Sequence, residues 1–193
     1  MTGSQSHKME SDERELVAGV RGGDRAAFRE IYERYRDRVY RLIFYSLNER
    51  LLAEDILQTV FLKIYRSLPG FRFESSLSTW IYRIALNECM NQNRRRNPEH
   101  VPIESILGSG EDIDTALAPD DQHARNELQR IVQQTVFDLP PKLRSVVVLK
   151  YLEELSYDQI AEVLECAPGT VASRLNRALA EMESRLQPLR RLL

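Results

Sequence analysis

The stretch LSYDQIAEVLECAPGTVASRLNRALAEM, residues 155–182, decides the fold of the C-terminal part of the chain. Ser156 lies three residues before Gln159, which is the spacing of a capping box and predicts the start of a helix. We predict that this helix ends near Leu164, and that Pro168 begins a second helix after a turn of about four residues. Two short helices joined by a tight turn are typical of a helix-turn-helix.

The second of these helices separates apolar from polar residues. Six apolar residues follow helical spacing and are predicted to face inward: Val171, Leu175, Ala178, Leu179, Met182 and Leu186. Thr170, Ser173, Arg174 and Arg177 share another face, because they are three, four and seven positions apart. Such side chains can bond DNA phosphates and base edges. This face is interpreted either as a DNA-binding surface or as the solvated side of an ordinary helical hairpin.

The composition predicts a soluble globular protein. The chain has 193 residues, of which 42% are hydrophobic and 29% charged. Its longest purely aliphatic run, residues 146–149, is far shorter than the roughly 20 residues that span a bilayer. Residues 1–12 are polar and lack the apolar core of a signal peptide, so we expect a cytoplasmic protein. Cys89 and Cys166 are predicted to be buried free thiols, with a redox pair as the alternative.

Charge is unevenly distributed along the chain. Residues 1–97 hold 17 basic and 13 acidic side chains, residues 98–126 hold 1 and 7, and residues 127–193 hold 9 and 9. The formal net charge is only −2, so charge alone does not indicate that the whole molecule coats DNA. An acidic strip rich in proline and glycine therefore separates two parts that can carry local basic patches.

The predicted fold class is all-α, with two small helical domains joined by a flexible acidic linker. Helical periodicity and Gly or Pro breaks divide the chain into a disordered tail (1–12), a first domain (13–97), a linker (98–123) and a second domain (124–193). In the first domain we predict a helix over 12–20 and a second helix that begins after Asp24 as its N-cap. We also predict a helix over 53–68 that Pro69 and Gly70 stop, and a helix over 79–96. In the second domain we predict a helix over 142–154.

Enzymatic function is not expected. The sequence contains no GxxxxGK[ST], HExxH, CxxC or GxSxG motif, and its three histidines, His7, His100 and His123, fall in the predicted tail and linker. We expect no metal and no cofactor.

Four segments carry a resemblance to one family. The segment from 139 to 178 resembles region 4 of bacterial extracytoplasmic-function (ECF, group 4) sigma factors. Three earlier segments are similar to regions 2.1 to 2.4 of that family, in the same order: GGDRAAFREIYERY (22–35), AEDILQTVFLKIYRSLPGF (53–71) and STWIYRIALNECMNQNRRR (78–96). The resemblance covers about 24–97 and 124–187. It implies a non-catalytic subunit that directs core RNA polymerase to promoters, with domain 2 reading the −10 element and domain 4 the −35 element.

The helix predicted over 53–68 offers a candidate polymerase-binding surface. It leaves Asp55, Gln58 and Thr59 beside an outward Leu62, a mixture of one apolar side chain and polar groups that is common at interfaces. The resemblance implies that this surface binds the clamp helices of the polymerase β′ subunit. The alternative is a solvated helix face.

The −10 element is expected to meet a loop and the helix that follows it. Melted DNA requires flat or polar groups that hold unstacked bases, and basic groups for phosphates. The candidates are Arg72, Phe73, Glu74, Ser75, Ser76, Trp80, Arg83, Asn87, Arg94 and Arg95. The resemblance implies that residues 72–76 hold a flipped base. Trp80 has a second interpretation, as a core residue beside Ile81 and Ile84.

For the −35 element, the family's contacting positions fall on Ala172, Ser173, Arg174, Asn176 and Arg177, beside the Thr170 that the helical spacing indicates. Lys or Arg is common in the family where this chain has Ala172, which removes one cationic contact.

The resemblance also implies further partners. The polymerase β flap is expected to bind domain 4 through Leu143, Val147 and Tyr151, which are equally good core candidates. An anti-sigma factor is implied, whereas a stable homo-oligomer and direct membrane insertion are not expected. The acidic linker is either an RNA mimic or a plain tether. The competing functional hypothesis is a free-standing helix-turn-helix regulator with residues 1–97 as a sensor domain.

Overall fold

The computed structural model describes residues 3–96 and 122–187, with side chains over 11–95 and 128–187. Within these ranges the chain is all-α, as predicted. The helices are α1 (Gly3–Arg21), α2 (Arg25–Leu47), α3 (Arg50–Ser67), α4 (Leu77–Arg96), α5 (Gln122–Phe137), α6 (Pro141–Val147), α7 (Tyr157–Val163) and α8 (Pro168–Leu186). A 3₁₀ turn (Leu68–Gly70) follows α3, and a π-helical turn (Val148–Leu152) follows α6.

Helices α1–α4 form the first domain around α2, which packs against the other three. Gly23 adopts φ +85°, and Asp24 then caps α2 by accepting a hydrogen bond from the Ala26 amide at 2.7 Å. Asn48 ends α2 in the left-handed region with φ 53°. The predicted stop after α3 is confirmed, because Pro69 and Gly70 complete the 3₁₀ turn.

The prediction of a disordered tail over 1–12 is wrong for residues 3–12, because α1 begins at Gly3. Residues 4–18 contain neither proline nor glycine, so nothing in the sequence stops the helix from extending toward the N-terminus. The amphipathic pattern of residues 12–20 marked only the half of α1 that packs against the core.

Helices α5–α8 form the second domain, and they include the predicted helix-turn-helix. Ser156 Oγ accepts from the Gln159 amide at 3.2 Å, and Gln159 Oε1 accepts from the Ser156 amide at 2.8 Å, so the predicted capping box is confirmed. Helix α7 ends at Val163 with Leu164 as its cap, and Pro168 begins α8.

The inward stripe of α8 is shorter than predicted. Val171, Leu175 and Ala178 are buried, but Leu179 is 39% exposed, so its predicted inward position is wrong. Leu179 follows Ala178 by one residue, which turns its side chain about 100° around the helix axis from the buried stripe. Leu179 therefore lies at the edge of the packed face of α8.

The helix predicted over 142–154 is divided. Helix α6 ends at Val147, the π-helical turn follows, and Glu154 adopts φ 57°. All four residues of the aliphatic run 146–149 are buried, because α6 lies between α8 of its own domain and α2 of the first domain. A continuous apolar run of this kind fits a helix covered on both sides.

The two domains pack directly on each other, with α4 against α7 and α2 against α6. The sequence analysis expected two lobes connected only by a tether. That expected linker, 98–123, falls almost entirely outside the described residues, and α5 begins inside its last two positions. Within the part of the chain that the structure describes, none of the helices combines the length and apolar composition needed to cross a bilayer.

The two cysteines lie in different environments. Cys89 is buried in the first domain, as predicted, and burial raises the pKa of its thiol to about 12. Cys166 is only half-buried, in the turn between α7 and α8, so its predicted burial is only partly correct.

We therefore predict that, in the native protein at pH 8, a thiol-specific reagent modifies Cys166 much faster than Cys89. The Cys89 thiol is both shielded and protonated, and the thiolate is the reactive form. Reaction rates measured for Cys89→Ser and Cys166→Ser variants separate the two sites. Equal rates for both thiols in the folded protein would contradict the burial of Cys89.

Candidate nucleic-acid and polymerase interfaces

One face of α3 exposes a stripe of apolar and polar residues. Leu51, Asp55, Gln58, Leu62 and Tyr65 recur at intervals of three or four residues and so lie along one side of the helix. All five are exposed, and the three large apolar members are 73%, 56% and 45% exposed, in chain order. Apolar side chains of this size that remain uncovered in one line are typical of a protein–protein interface.

This stripe extends the predicted polymerase-binding surface in both directions. The sequence analysis found Asp55, Gln58 and Leu62 but missed Leu51 and Tyr65, although their spacing was visible in the sequence. Thr59 differs from the rest of the prediction, because it is half-buried and its Oγ1 donates to the Asp55 carbonyl at 3.1 Å. Its hydroxyl is therefore engaged within the helix.

The loop between the 3₁₀ turn and α4 is held by α1. The Arg21 side chain donates from Nε to the Pro69 carbonyl oxygen at 3.0 Å, and from Nη2 to the Phe71 carbonyl oxygen. These carbonyls lie 48 and 50 residues away in sequence. No sequence pattern links Arg21 to this loop, so the sequence analysis missed it.

Phe73, at the centre of this loop, adopts φ 57°. A bulky residue in the left-handed region costs of order 1–3 kcal/mol and persists only where its surroundings fix it. Here the Arg14 guanidinium lies 4.6 Å from the Phe73 ring centroid, and the Phe71 ring lies 4.7 Å from it. Helix α1 therefore fixes the loop at two points, with Arg14 against the Phe73 ring and Arg21 on the loop backbone.

An open cleft of about 380 Å³ lies between this loop and α4. It is lined by Gly70, Phe71, Arg72, Glu74, Ser75, Trp80 and Arg83. Five predicted −10 residues are among them. The Nε atom of Arg83 is buried and has no hydrogen-bond partner among the described residues. A flat aromatic ring and a cationic donor in one cleft can hold a single nucleobase.

The other predicted −10 residues do not line this cleft. Ser76 has a structural role, because its Oγ accepts a hydrogen bond from the Thr79 amide at 3.1 Å near the start of α4. Asn87 is exposed one turn beyond Arg83, and Arg94 and Arg95 are exposed near the end of the same helix. Helix α4 thus places polar and then basic groups in a line leading away from the cleft.

The position of Trp80 is compatible with both of its interpretations. Its ring packs against the buried Phe71 ring, with 5.0 Å between centroids and an interplanar angle of 39°. The residue is nevertheless half-buried and lines the cleft. The Trp80 ring can therefore support the loop with one part and contact a ligand with another.

The polar face of α8 is accessible over its first three turns. Ser173, Asn176 and Arg177 are exposed, whereas Thr170, Ala172 and Arg174 are half-buried. The structure therefore brings all six predicted −35 residues onto the N-terminal part of α8, which is the part that a helix-turn-helix presents to base edges.

Two of the candidate β-flap residues belong to the core. Leu143 and Val147 are buried, whereas Tyr151 is 54% exposed. Of the three, only Tyr151 has a side chain available to a partner in this conformation.

Comparison with known proteins identifies both domains. The family model "Sigma-70 region 2" matches residues 31–99, and the model "Sigma-70, region 4" matches residues 129–182. A curated ECF RNA polymerase sigma-E factor of Haemophilus influenzae is 39% identical over 185 residues, covering 90% of this chain and 95% of that protein.

The chain belongs to the ECF sigma factors. It is also 32% identical to the ECF RNA polymerase sigma factor SigW of Bacillus subtilis, over 94% of this chain and all of that protein. As a member of this family it is not an enzyme; it directs RNA polymerase to promoters. The free-standing regulator hypothesis has no support from these comparisons.

Two solved structures share the fold of this chain. CnrH, solved in complex with the cytosolic domain of CnrY, gives a TM-score of 0.68 at 23% identity and covers 92% of this chain and 98% of that chain. The sigma factor RpoE of Bartonella quintana, solved with the anti-sigma factor NepR, gives 0.69 at 21% identity and covers 83% of this chain and 96% of that chain. At these identities the likeness concerns the fold.

The anchoring of the loop by Arg21 leads to a test that needs no DNA. Substituting Arg21→Ala removes donors to two loop carbonyls, and a net hydrogen-bond contribution of about 1 kcal/mol corresponds to roughly fivefold more frequent opening. We expect amide hydrogen exchange to accelerate by about that factor in residues 70–76, with little change in α8. Arg29→Ala, which alters an exposed arginine of α2, is the matched control. Unchanged exchange in the Arg21→Ala loop would refute the anchoring role.

Proposed function

We propose that this sigma factor uses one surface to bind polymerase and two others to read the promoter. The exposed stripe of α3 binds core RNA polymerase at the β′ clamp, the cleft beside Trp80 holds a −10 base, and α8 reads the −35 element. The single observation that carries the proposal is the cleft, because a preformed loop, an aromatic ring and an unpartnered Arg83 Nε meet there. The cleft lies within the residues that match sigma-70 region 2, which supports a role for it at the −10 element.

At the −10 element, the proposed role of the cleft is to capture a base that leaves the duplex. Extruding a base costs a few kcal/mol, and stacking on an aromatic ring returns about 1–3 kcal/mol per base. The cleft supplies the Trp80 ring for stacking and the Arg72 and Arg83 guanidiniums for polar contacts. Arg94 and Arg95 then bind phosphates of the adjoining strand. Because Arg21 and Arg14 fix the loop beforehand, little ordering entropy is lost on binding.

At the −35 element, α8 is proposed to enter the major groove. Arg177 is exposed and reaches guanine edges or phosphates, while Ser173 and Asn176 supply shorter polar contacts. Thr170 and Arg174, on the half-buried edge of the same face, complete the surface. Ala172 adds no cation, so Arg174 and Arg177 provide the positive charge of the proposed reading face.

Two kinds of protein partner complete the proposal. Core polymerase binds α3 and reaches Tyr151 of the second domain through its β flap. The sigma factor RpoE was solved in complex with the anti-sigma factor NepR, and CnrH with the cytosolic domain of CnrY, so we infer that an anti-sigma factor binds this chain as well. Because the proposed role requires the protein to act on the chromosome together with polymerase, we infer that the protein is cytoplasmic.

The polymerase-binding role of α3 is tested by run-off transcription with purified core enzyme and a genomic promoter library. The double substitution Asp55→Arg with Gln58→Ala places a cation in the stripe and removes a polar contact, so we expect defined transcripts to fall at least tenfold. Glu33→Arg, an equivalent charge reversal on an exposed position of α2, should leave them unchanged. Full transcription by the double variant would reject the α3 assignment.

The −35 role of α8 is tested by promoter binding of the reconstituted holoenzyme. Arg177→Ala should weaken binding by about 1–3 kcal/mol if the side chain reads a guanine, with loss of discrimination at that base pair. Arg185→Ala is the control, because Arg185 lies on the same helix but bonds Asp138 at 2.8 Å. If Arg177→Ala and Arg185→Ala bind the promoter equally well, α8 does not read DNA through this face.

A further inference from the structure

One residue of the loop beside the cleft does not face the cleft. Residues on both sides of Phe73 line it, from Gly70 to Arg72 and from Glu74 to Ser75, but Phe73 itself does not. Phe73 is also the residue of this loop with φ 57°, and its ring lies against Arg14 of α1. The strained residue of the loop therefore serves the side of the loop that meets α1, which the proposed base-binding cleft leaves unused.

A continuous series of flat groups leads from the cleft to α1. The Trp80 ring centroid lies 5.0 Å from that of Phe71, and the Phe71 centroid lies 4.7 Å from that of Phe73. The Arg14 Cζ atom follows, at 4.6 Å from the Phe73 centroid. Proteins that bind single strands hold successive bases on groups arranged in this way. Arg14 thus stands at the opposite end of a series that begins with the proposed stacking ring, Trp80.

Arg14 remains exposed although the Phe73 ring holds its guanidinium. Helix α1 carries Arg14, Ala18 and Arg21 on one face, because they are four and three positions apart, and all three are exposed. Arg21 is committed to the loop carbonyls, and the Ala18 side chain is too small to cover its neighbour. A guanidinium is planar and carries five N–H donors, so one contact with a ring leaves surface for a ligand.

The surroundings of Arg14 favour stacking over simple attraction of phosphate. Glu15 and Glu74 directly follow Arg14 and Phe73 in the sequence, and both are exposed. These carboxylates offset the positive charge of Arg14, so the local attraction for a phosphate is weak. Stacking depends on the flat guanidinium instead of on net charge, and unpaired bases stack on arginine as they do on aromatic rings. The ligand that fits is an unpaired base.

We propose that Arg14, held in place by Phe73, forms a second nucleotide subsite, where the unpaired base next to the one in the cleft stacks on the guanidinium. This inference rests on the proposed −10 role of the cleft and deepens it. The loop then separates two neighbouring bases of the melted strand, one on the Trp80 side and one on the Arg14 side. Helix α1 contacts DNA in addition to holding the loop.

The second subsite gives the unusual backbone of Phe73 a role. A bulky residue in the left-handed region is costly, and such residues cluster at ligand clamps. Here the conformation coincides with a ring that lies beneath an exposed arginine instead of lining the cleft. Once the first base is held, the second is delivered at a high effective concentration, so its binding opposes re-pairing of both.

The subsite is tested by holoenzyme binding to a promoter that run-off transcription has identified and whose −10 element is already unpaired. An abasic site replaces the base at one position of the unpaired strand at a time. Dissociation constants are measured on each DNA for the parent protein, Arg14→Ala and Trp80→Ala. Each combination of a variant and an abasic site is a double-mutant cycle, which reports whether that side chain and that base interact.

We expect Arg14→Ala to weaken binding to the intact strand roughly tenfold, and expect this loss to vanish at one abasic position. The loss caused by Trp80→Ala should vanish at a different, adjacent position. If both losses vanish at the same position, or if no abasic site removes the Arg14→Ala loss, the second subsite is overturned. If no abasic site removes the Trp80→Ala loss, the cleft assignment itself fails, and the second subsite fails with it.

A conservative variant separates stacking from support of the loop. Arg14→Lys keeps a cation for the Phe73 ring but removes the guanidinium plane. We expect amide hydrogen exchange in residues 70–76 to stay at the parent rate while most of the tenfold affinity loss remains. Arg29→Ala, at an exposed arginine of α2, is the control and should bind every DNA as the parent does. Parent-like affinity of Arg14→Lys beside a weakened Arg14→Ala would overturn stacking, because charge alone would then suffice.

Discussion

Glu153 is a carboxylate whose three bonded partners all lie in the other domain. An ionised group of this kind is tolerated in a buried position only when donors surround it, and here the donors come from α2 and α4. The closed arrangement of the molecule therefore depends on this contact. One of these helices, α4, also carries proposed −10 residues, because Tyr82 lies between Trp80 and Arg83 of the cleft. Domain closure and DNA reading thus share one helix.

In the first domain, long-range contacts from α1 fix the conformation of a loop. Its −10 loop contains Phe73 in an unfavourable backbone conformation, and the loop keeps that conformation because Arg14 and Arg21 reach it from α1. A loop fixed before binding loses less entropy when it captures a base. In the proposed function, the N-terminal helix therefore supports recognition by holding the backbone of this loop.

The sequence predicted the local structure well, because the relevant signals are local. The Ser156–Gln159 capping box, the Asp24 cap and the Pro69–Gly70 stop each depend on residues a few positions apart, and each is confirmed. The tail was predicted wrongly because helix α1 extends beyond the segment that packs on the core. The inward position of Leu179 was predicted wrongly because spacing alone does not show where the covered face of a helix ends.

The long-range contacts could not be predicted from the sequence, for a physical reason. Arg21, Arg144 and Glu153 are charged residues that a periodicity argument assigns to the surface, yet their partners lie 48, 99 and 71 positions away. No spacing rule specifies such pairs. The −10 candidates, by contrast, form one contiguous stretch of loop and helix, so the sequence could identify the cleft without knowing how α1 supports it.

The most direct test of the account is run-off transcription by a Trp80→Ala variant, on a duplex promoter and on the same promoter with its −10 element already unpaired. The account predicts a large loss on the duplex promoter that the unpaired promoter largely restores, because the cleft acts by holding a base that has left the duplex. Full transcription of the duplex promoter by Trp80→Ala would contradict the account.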